Sequence, residues 1–384
     1  MNILFFTIGT ANPITGGESS VPFYYYTFFK KRGYNILMLG GKKTIETENK
    51  DFIFLPNPQT LFSRENREYL DEIISQYQIQ IIFNHTCLSP SFSYILQYIK
   101  KKHKSIKIVS VYHNSPFGIY GIRKYPRLAE LKCERLKLII DSVIRHLFWI
   151  KYHNLLKMQA KFSDKIVMLS EKFIPEYLFF VGRKYSSKMM GIPNPLTIEE
   201  LPREEKENIV LFVGRLSIEK GLPYLFKIWK ILENRHPEWK LQIVGDGAER
   251  VNAEKMARHL GLQRCIFYGR QRPEPFYNKA KIFCMTSLFE GFGLVLTEAM
   301  HYGVVPLAFN SYANVGDIID DKVTGFIIPP FNIEAYADKI SCLIENESLR
   351  SQMSDAAVQK SEKFALSKIG VMWEDLFKKL LEIK

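Results

Sequence analysis

Short unbroken apolar runs recur along the chain, separated by longer stretches in which apolar residues return every three or four positions. Asn2-Ile3-Leu4-Phe5-Phe6-Thr7-Ile8 is the first run. The glycine turn Thr15-Gly16-Gly17-Glu18 and a helical stretch ending near Gly33 follow it. Asn35 to Leu39, Phe52 to Leu55, Ile79 to Asn84, Ile106 to Tyr112 and Lys165 to Leu169 continue the series, with helix-length segments at 64–76 and 90–103. Runs without polar alternation fit strands covered on both faces. Strands alternating with helices fit βαβ units in a parallel sheet. Gly191-Ile192-Pro193-Asn194-Pro195 breaks the rhythm, and the acidic run Glu199 to Glu207 reads as an exposed linker. The alternation then restarts with Ile209 to Val213, Leu241 to Val244, Cys265 to Tyr268, Ile282 to Met285, Val304 to Ala308 and Phe326 to Ile328. The expected architecture is α/β. Two Rossmann-like domains, 1–193 and 194–365, face a central cleft, and 366–384 forms an amphipathic C-terminal helix free to cross back to the first domain.

Residues 126–160 depart from this pattern. Leu136, Ile140, Val143, Leu147 and Ile150 recur at helical spacing. The span 122–165 carries 11 Lys/Arg and 4 Asp/Glu, net +7, with Trp149 and Tyr152 among the bases. Two readings stand. One is a packed helix with a solvated basic face. The other is a surface resting on anionic lipid, where each nearby Lys or Arg contributes ~1 kcal/mol.

Charge sharpens the contrast between the halves. The 384-residue chain is net +13, of which residues 1–200 hold +12 and 201–384 only +1. Such asymmetry points to an anionic partner for the first half: a membrane surface, a phosphorylated substrate or nucleic acid. At 46% hydrophobic and 24% charged residues, the chain is not of the disordered class. The best apolar stretch, Leu138 to Ile150, is interrupted by Asp141 and Arg145 and falls short of the ~20 residues a membrane span needs. With Lys30 as its first basic residue, the N-terminus does not read as a secretory leader. Five cysteines, the closest pair 19 positions apart, show no zinc or disulfide spacing and suit a reducing compartment.

Two segments carry candidate chemistry. In Ser287-Leu288-Phe289-Glu290-Gly291-Phe292-Gly293, glycines precede a helix expected to run to Gly303. A ligand can approach the free amides there, and the helix dipole favours an anion. Glu298 lies on that helix among apolar residues, where a carboxylate needs a partner. Sugar or ribose hydroxyls would supply one, and so would the protein backbone. In Val213-Gly214-Arg215-Leu216-Ser217-Ile218-Glu219-Lys220-Gly221, one strand-end Arg and one helix-start Lys could converge on the same phosphates. The alternative is two solvated charges.

Val213-Gly214-Arg215, Glu219-Lys220-Gly221, Val244-Gly245-Asp246-Gly247, Glu290-Gly291-Phe292-Gly293 and Thr297-Glu298-Ala299 stand in this order over roughly 205–345. This half resembles the retaining GT-B glycosyltransferases of family 4, the glycosyltransferase group 1 type, whose signature is a Glu-x7-Glu pair. The N-terminal half resembles them in Gly16-Gly17 and in the His of Tyr112-His113-Asn114. The resemblance implies catalytic roles for Glu290, His113, Arg215 and Lys220. Arg215 and Lys220 would neutralise the diphosphate of a nucleotide-sugar donor, and Glu298 would hold the ribose. Glu290 and His113 would contact the transferred sugar. Amides of Phe292, Gly293, Leu294 and Val295 would bind sugar and phosphate, with Gly16 and Gly17 at the departing phosphate and Arg270 near the base. The chain departs from the family where Gly316-Asp317 replaces a frequent Pro-Glu, and where Ala248 follows Gly247 in place of a proline.

The chain contains no Asp-x-Asp, and Arg, Lys and helix N-termini can stabilise leaving-group charge without a metal. The expectation is therefore a metal-independent, cofactor-free, retaining hexosyltransferase-like enzyme. It would build cell-surface polysaccharide on a glycan or lipid-linked acceptor, from the cytoplasm or the inner face of the cell membrane. A same-fold nucleotide-sugar epimerase or hydrolase is the rival within the class, and a non-catalytic basic binding protein the rival outside it. No nucleic-acid motif accompanies the basic half, so nucleic acid is not an expected partner.

Overall fold

A computed structural model describes residues 1–11, 20–44, 48–87, 89–120 and 134–382. The chain divides into two compact units. One comprises Met1–Pro116, Val143–Thr197 and Leu366–Lys384, the other Phe117–Ser142 and Ile198–Ala365.

In the first unit the apolar runs form a parallel sheet of β1 (Asn2–Thr7), β2 (Asn35–Gly40), β3 (Phe52–Phe54), β4 (Ile81–Asn84), β5 (Lys107–Tyr112), β6 (Lys165–Met168) and β7 (Met189–Gly191). Their order is β3-β2-β1-β4-β5-β6-β7. Leu4 and Phe6 point to one face and bury against Leu70 and Ile73 of the helix Arg64–Gln76 and Ile95 and Ile99 of the helix Pro90–Lys102. Ser63 and Ser89 cap these two helices by accepting from the amides of Asn66 and Phe92. Phe5 and Phe83 point to the other face. There the C-terminal helix Leu366–Glu382 closes the core, with Trp373 4.6 Å from Phe83 and Phe377 5.5 Å from Phe29 between ring centroids. Arg32 pairs with Glu374 at 2.8 Å, and Tyr34 donates to the same carboxylate. The tail helix therefore belongs to the first unit.

The second unit repeats the plan with β8 (Ile209–Val213), β9 (Lys240–Val244), β10 (Cys265–Gly269), β11 (Ile282–Met285), β12 (Val305–Phe309) and β13 (Phe326–Ile328), ordered β10-β9-β8-β11-β12-β13. Leu241, Ile243 and Leu307 pack with Trp229, Leu232, Tyr336 and Ile340.

Three local expectations are corrected. The chain is still a strand at Met189–Gly191, where the proline-rich break was expected to begin. The segment after it carries exposed acids but is no free linker. Lys206 Nζ donates to the carbonyls of Tyr277 (2.9 Å) and Tyr302 (2.7 Å), Arg203 to that of His301 (2.8 Å), and Asn278 Nδ2 to that of Pro202 (2.7 Å). Burial, with the Arg203 charge adding to it, lowers Lys206 to about 7. Finally, the helix Glu134–Phe162 turns Leu136, Val143, Leu147 and Ile150 outward, so it is not a packed helix with its apolar stripe inside. Arg123 and Lys132 of the basic span lie outside the described residues. Among the described residues no helix is long and apolar enough to cross a membrane.

Candidate functional site

The loops after β8, β9 and β11 lean on one another, and glycines make that approach possible. The Gly214 amide donates to Val244 O at 3.0 Å, and the Leu216 amide to Asp246 O at 2.9 Å. A methyl at Gly245 (φ 139°) would overlap the Gly214 carbonyl, and one at Gly247 the Leu216 carbonyl. Backbone packing thus accounts for both glycines of Val244-Gly245-Asp246-Gly247. Gly221 (φ 65°) is pressed against the Thr286 carbonyl in the same way. Thr286 Oγ1 donates to Lys220 O at 3.1 Å and the Leu288 amide to Glu219 O at 2.7 Å, which straps the β8 loop to the β11 loop.

That strap sets an ion pair. Lys220 Nζ donates to Glu290 Oε1 at 2.7 Å, with the two side chains only 17% and 12% exposed. Ser287 Oγ donates to the same oxygen at 2.6 Å. Arg215 instead leaves 73% of its side chain exposed and meets Glu219 at 3.3 Å, so the two cations do not share a partner here. Burial would raise the Glu219 carboxyl, but the Ser217 hydroxyl, a backbone amide and the charges of Arg215 and Lys220 hold it below its ordinary value.

The glycine loop is fixed from behind. Ser311 Oγ donates to Ser287 O at 2.6 Å, and Asn314 Nδ2 to the carbonyls of Gly291 (3.3 Å) and Phe292 (3.5 Å). The Phe292 ring packs edge-on against Phe364. Gly293 (φ 89°) then starts the helix Leu294–His301, with Leu294 and Val295 in its first turn, as Gly221 starts the helix Leu222–Arg235. Ser or Asn caps the helices that begin at Arg64, Pro90, Ile333 and Glu347, whereas neither glycine offers a capping side chain. Pro223 has no amide hydrogen, the Tyr224 and Leu225 amides donate to Gly221 O, and the Leu296 amide donates to Gly293 O. The first-turn amides without such a bond are those of Leu222, Leu294 and Val295, each at a positive dipole end. Two buried polar atoms nearby lack a hydrogen-bond partner, Tyr312 Oη and Asn314 Oδ1. Burial first, then the Glu290 charge, pushes the Tyr312 hydroxyl well above its ordinary pKa.

Glu298 has a side-chain partner rather than the backbone one that its apolar setting left open. Tyr277 Oη donates to Glu298 Oε2 at 3.0 Å from the helix Glu274–Lys279. Although the residue keeps some surface, its carboxyl is enclosed. Burial pushes it up to about 7, Glu274 adds to the rise, and the Tyr277 hydrogen bond opposes it. Arg270 is exposed just past β10, where it joins the Gly247 amide and Arg250 in holding Asp246 low.

In the first unit, His113 follows β5 and is buried against His85, which follows β4. His85 Nδ1 and His113 Nε2 lie 2.9 Å apart and the rings stack. Burial, then the His113 neighbour, keeps His85 well below its ordinary pKa, so it is neutral at pH 7. Gly16 and Gly17 lie outside the described residues. Sequence reading passed over Tyr277, Ser287, Tyr312, Asn314 and His85. His85 left a signal, because Asn84-His85-Thr86 ends an apolar run as Tyr112-His113-Asn114 does. Tyr277 left none, because its partner is 21 positions away on another helix.

The sequence model of the family described as Glycosyl transferases group 1 matches residues 194–360. An uncharacterized glycosyltransferase of Haemophilus influenzae is 31% identical over 255 residues, which cover 62% of this chain and 71% of that protein. The GalNAc-alpha-(1->4)-GalNAc-alpha-(1->3)-diNAcBac-PP-undecaprenol alpha-1,4-N-acetyl-D-galactosaminyltransferase of Campylobacter jejuni is 31% identical over 182 residues, covering 47% of this chain and only 50% of that enzyme. Among solved structures, Anabaena Alr3699/HepE in complex with UDP and glucose superposes with a TM-score of 0.72 at 15% identity, covering 99% of this chain and 100% of that one, a likeness of fold.

Proposed function

The chain belongs to the group 1 glycosyl transferases, and from that premise we propose that it moves a sugar from a nucleoside-diphosphate donor to a glycan or lipid-linked acceptor, with retention and without a metal. The observation that carries the reading is the Lys220–Glu290 pair, which joins the entries of two helices that no side chain caps. A diphosphate arriving there meets amides, two dipole ends and a lysine. As the phosphate takes Lys220, Glu290 is freed to accept from a sugar hydroxyl. Glu290 is tied to both Lys220 and Ser287, which suits a binder better than a nucleophile. The transferred sugar would then react on one face, the leaving phosphate helping to deprotonate the acceptor. Arg215, standing in solvent, is free to swing onto the outer phosphate. Glu298, once ionised, would accept from the ribose, and Arg270 would lie toward the base. His113, held against His85, would contact the sugar.

The Campylobacter relative is named for an alpha-linked product on an undecaprenyl-diphosphate glycan. By analogy, the acceptor here would be a growing cell-surface polysaccharide, assembled at the cytoplasmic face of the membrane. The test is a panel of nucleotide sugars in chelator, assayed for nucleoside diphosphate release with and without a short glycan acceptor, with the product anomer read by NMR. Release that needs acceptor and yields the donor's own configuration is expected. Equal release of free sugar without acceptor would replace the reading with hydrolysis.

A further inference from the structure

One ammonium group joins two helices of the second unit. Lys206 Nζ donates to Tyr277 O, in the helix Glu274–Lys279, at 2.9 Å, and to Tyr302 O, just past the helix Leu294–His301, at 2.7 Å. Both carbonyls lie at helix C-terminal ends, where acceptors lack intrahelical partners and a cation meets the negative end of the dipole. Burial and the Arg203 charge both disfavour the ammonium form of this half-buried lysine. Keeping a charge there is costly, and attachment of the strap does not require it. Arg203 already donates to His301 O and lies 5.3 Å from the Tyr302 ring centroid, and Asn278 Nδ2 donates to Pro202 O.

The same two helices meet again through side chains. Tyr277 Oη donates to Glu298 Oε2 at 3.0 Å, and the Tyr277 and Tyr302 rings stack with centroids 6.1 Å apart. Tyr277 therefore receives Lys206 on its carbonyl and gives its hydroxyl to Glu298. We infer that Lys206 is a positioning residue: by bridging the two helices it keeps the Tyr277 hydroxyl on Glu298. With Glu298 accepting from the ribose, the bridge also sets donor affinity. That consequence rests on the proposed donor function, whereas the bridge itself does not. A direct effect of the Lys206 charge on the Glu298 carboxyl is the competing route, and it differs in one respect: it would persist without the Tyr277 hydroxyl.

Carbon NMR of the Glu298 carboxyl in the full chain, titrated with pH, tests the bridge without any donor. In Lys206→Met the midpoint should rise from about 7, because the hydrogen bond that favours the ionised form is loosened. In a Tyr277→Phe background the same substitution should move it no further. Arg203→Gln, which loosens the strap but spares the bridge, should leave the midpoint in place. Calorimetric titration with UDP, GDP and ADP adds the donor arm. Lys206→Met should weaken whichever binds about tenfold, and should add less than ~twofold to the loss in Tyr277→Phe. Thermal unfolding checks that each variant is folded, and Lys206→Gln takes the place of Lys206→Met if the methionine is not tolerated. An unmoved midpoint, an equal rise in the Tyr277→Phe background, or an equal rise in Arg203→Gln would overturn the inference. A midpoint that behaves as expected in a chain that binds none of the three nucleotides would overturn the donor function and leave the bridge standing.

Discussion

A carboxyl group that keeps its proton to about pH 7 makes Glu298 the most pH-sensitive residue of the candidate site. Its ordinary value is 4.5, so between 4.5 and 7 the folded protein holds a proton that the unfolded chain has released. Stability from this group therefore falls as pH rises across that window. Donor binding runs the opposite way, because only the ionised carboxylate can accept from both ribose hydroxyls. The profile of kcat/KM against pH should have an acid limb near 7. Tyr277→Phe removes the hydrogen bond that favours the ionised form, so the limb should move to higher pH; an unmoved limb would assign it to another group. The ion pair makes a second residue-scale prediction. Lys220→Ala should lower turnover ~100-fold, the scale of a lost charge-stabilising group. Glu290→Gln should lower the rate more than donor affinity. Since the two side chains touch at 2.7 Å, the double variant should lose less than the product of the single losses, measured as kcat/KM with donor varied.

At the scale of elements, strands were the most legible part. Their runs are apolar on both faces because helices cover both, and the runs at Asn2, Asn35, Ile209 and Ile282 begin where strands begin. β7 escaped because three residues beside a proline-rich stretch carry no periodicity. Helical spacing over 136–150 named residues that share a face, but spacing says nothing about what lies against that face, and here it is open to solvent. The strap at 198–208 was hidden because the carbonyls that hold Lys206 come from residues 71 and 96 positions away. The glycine-led helix starts were visible as motifs, and the structure supplies the reason for Gly221 in particular. Gly221→Ala forces a left-handed residue with a methyl against the Thr286 carbonyl. It should destabilise the second unit by ~1–3 kcal/mol, whereas Ser63→Ala in the first should lose ~1 kcal/mol. Urea unfolding of each variant checks both.

Across the whole molecule, the chain's last helix stabilises the unit built mostly from its first half. Trp373 is fully buried and packs with Phe83 and Tyr25 in the first unit. Trp373→Ala should destabilise that unit by ~3–5 kcal/mol while leaving the glycine loops of the second unit intact, which calorimetric unfolding would register. The charge asymmetry was legible from the sequence alone, but its arrangement beside an exposed apolar stripe was not, since that depends on which way one helix is rotated. The central claim is that the second unit binds a nucleoside diphosphate through Lys220 and two uncapped helix starts. Titration calorimetry of UDP, GDP and ADP into the full chain in chelator tests it most directly. At least one should bind, and Lys220→Ala should weaken that binding about tenfold or more, the scale of a charge-assisted contact. Binding of none of the three, or unchanged binding to Lys220→Ala, would contradict it.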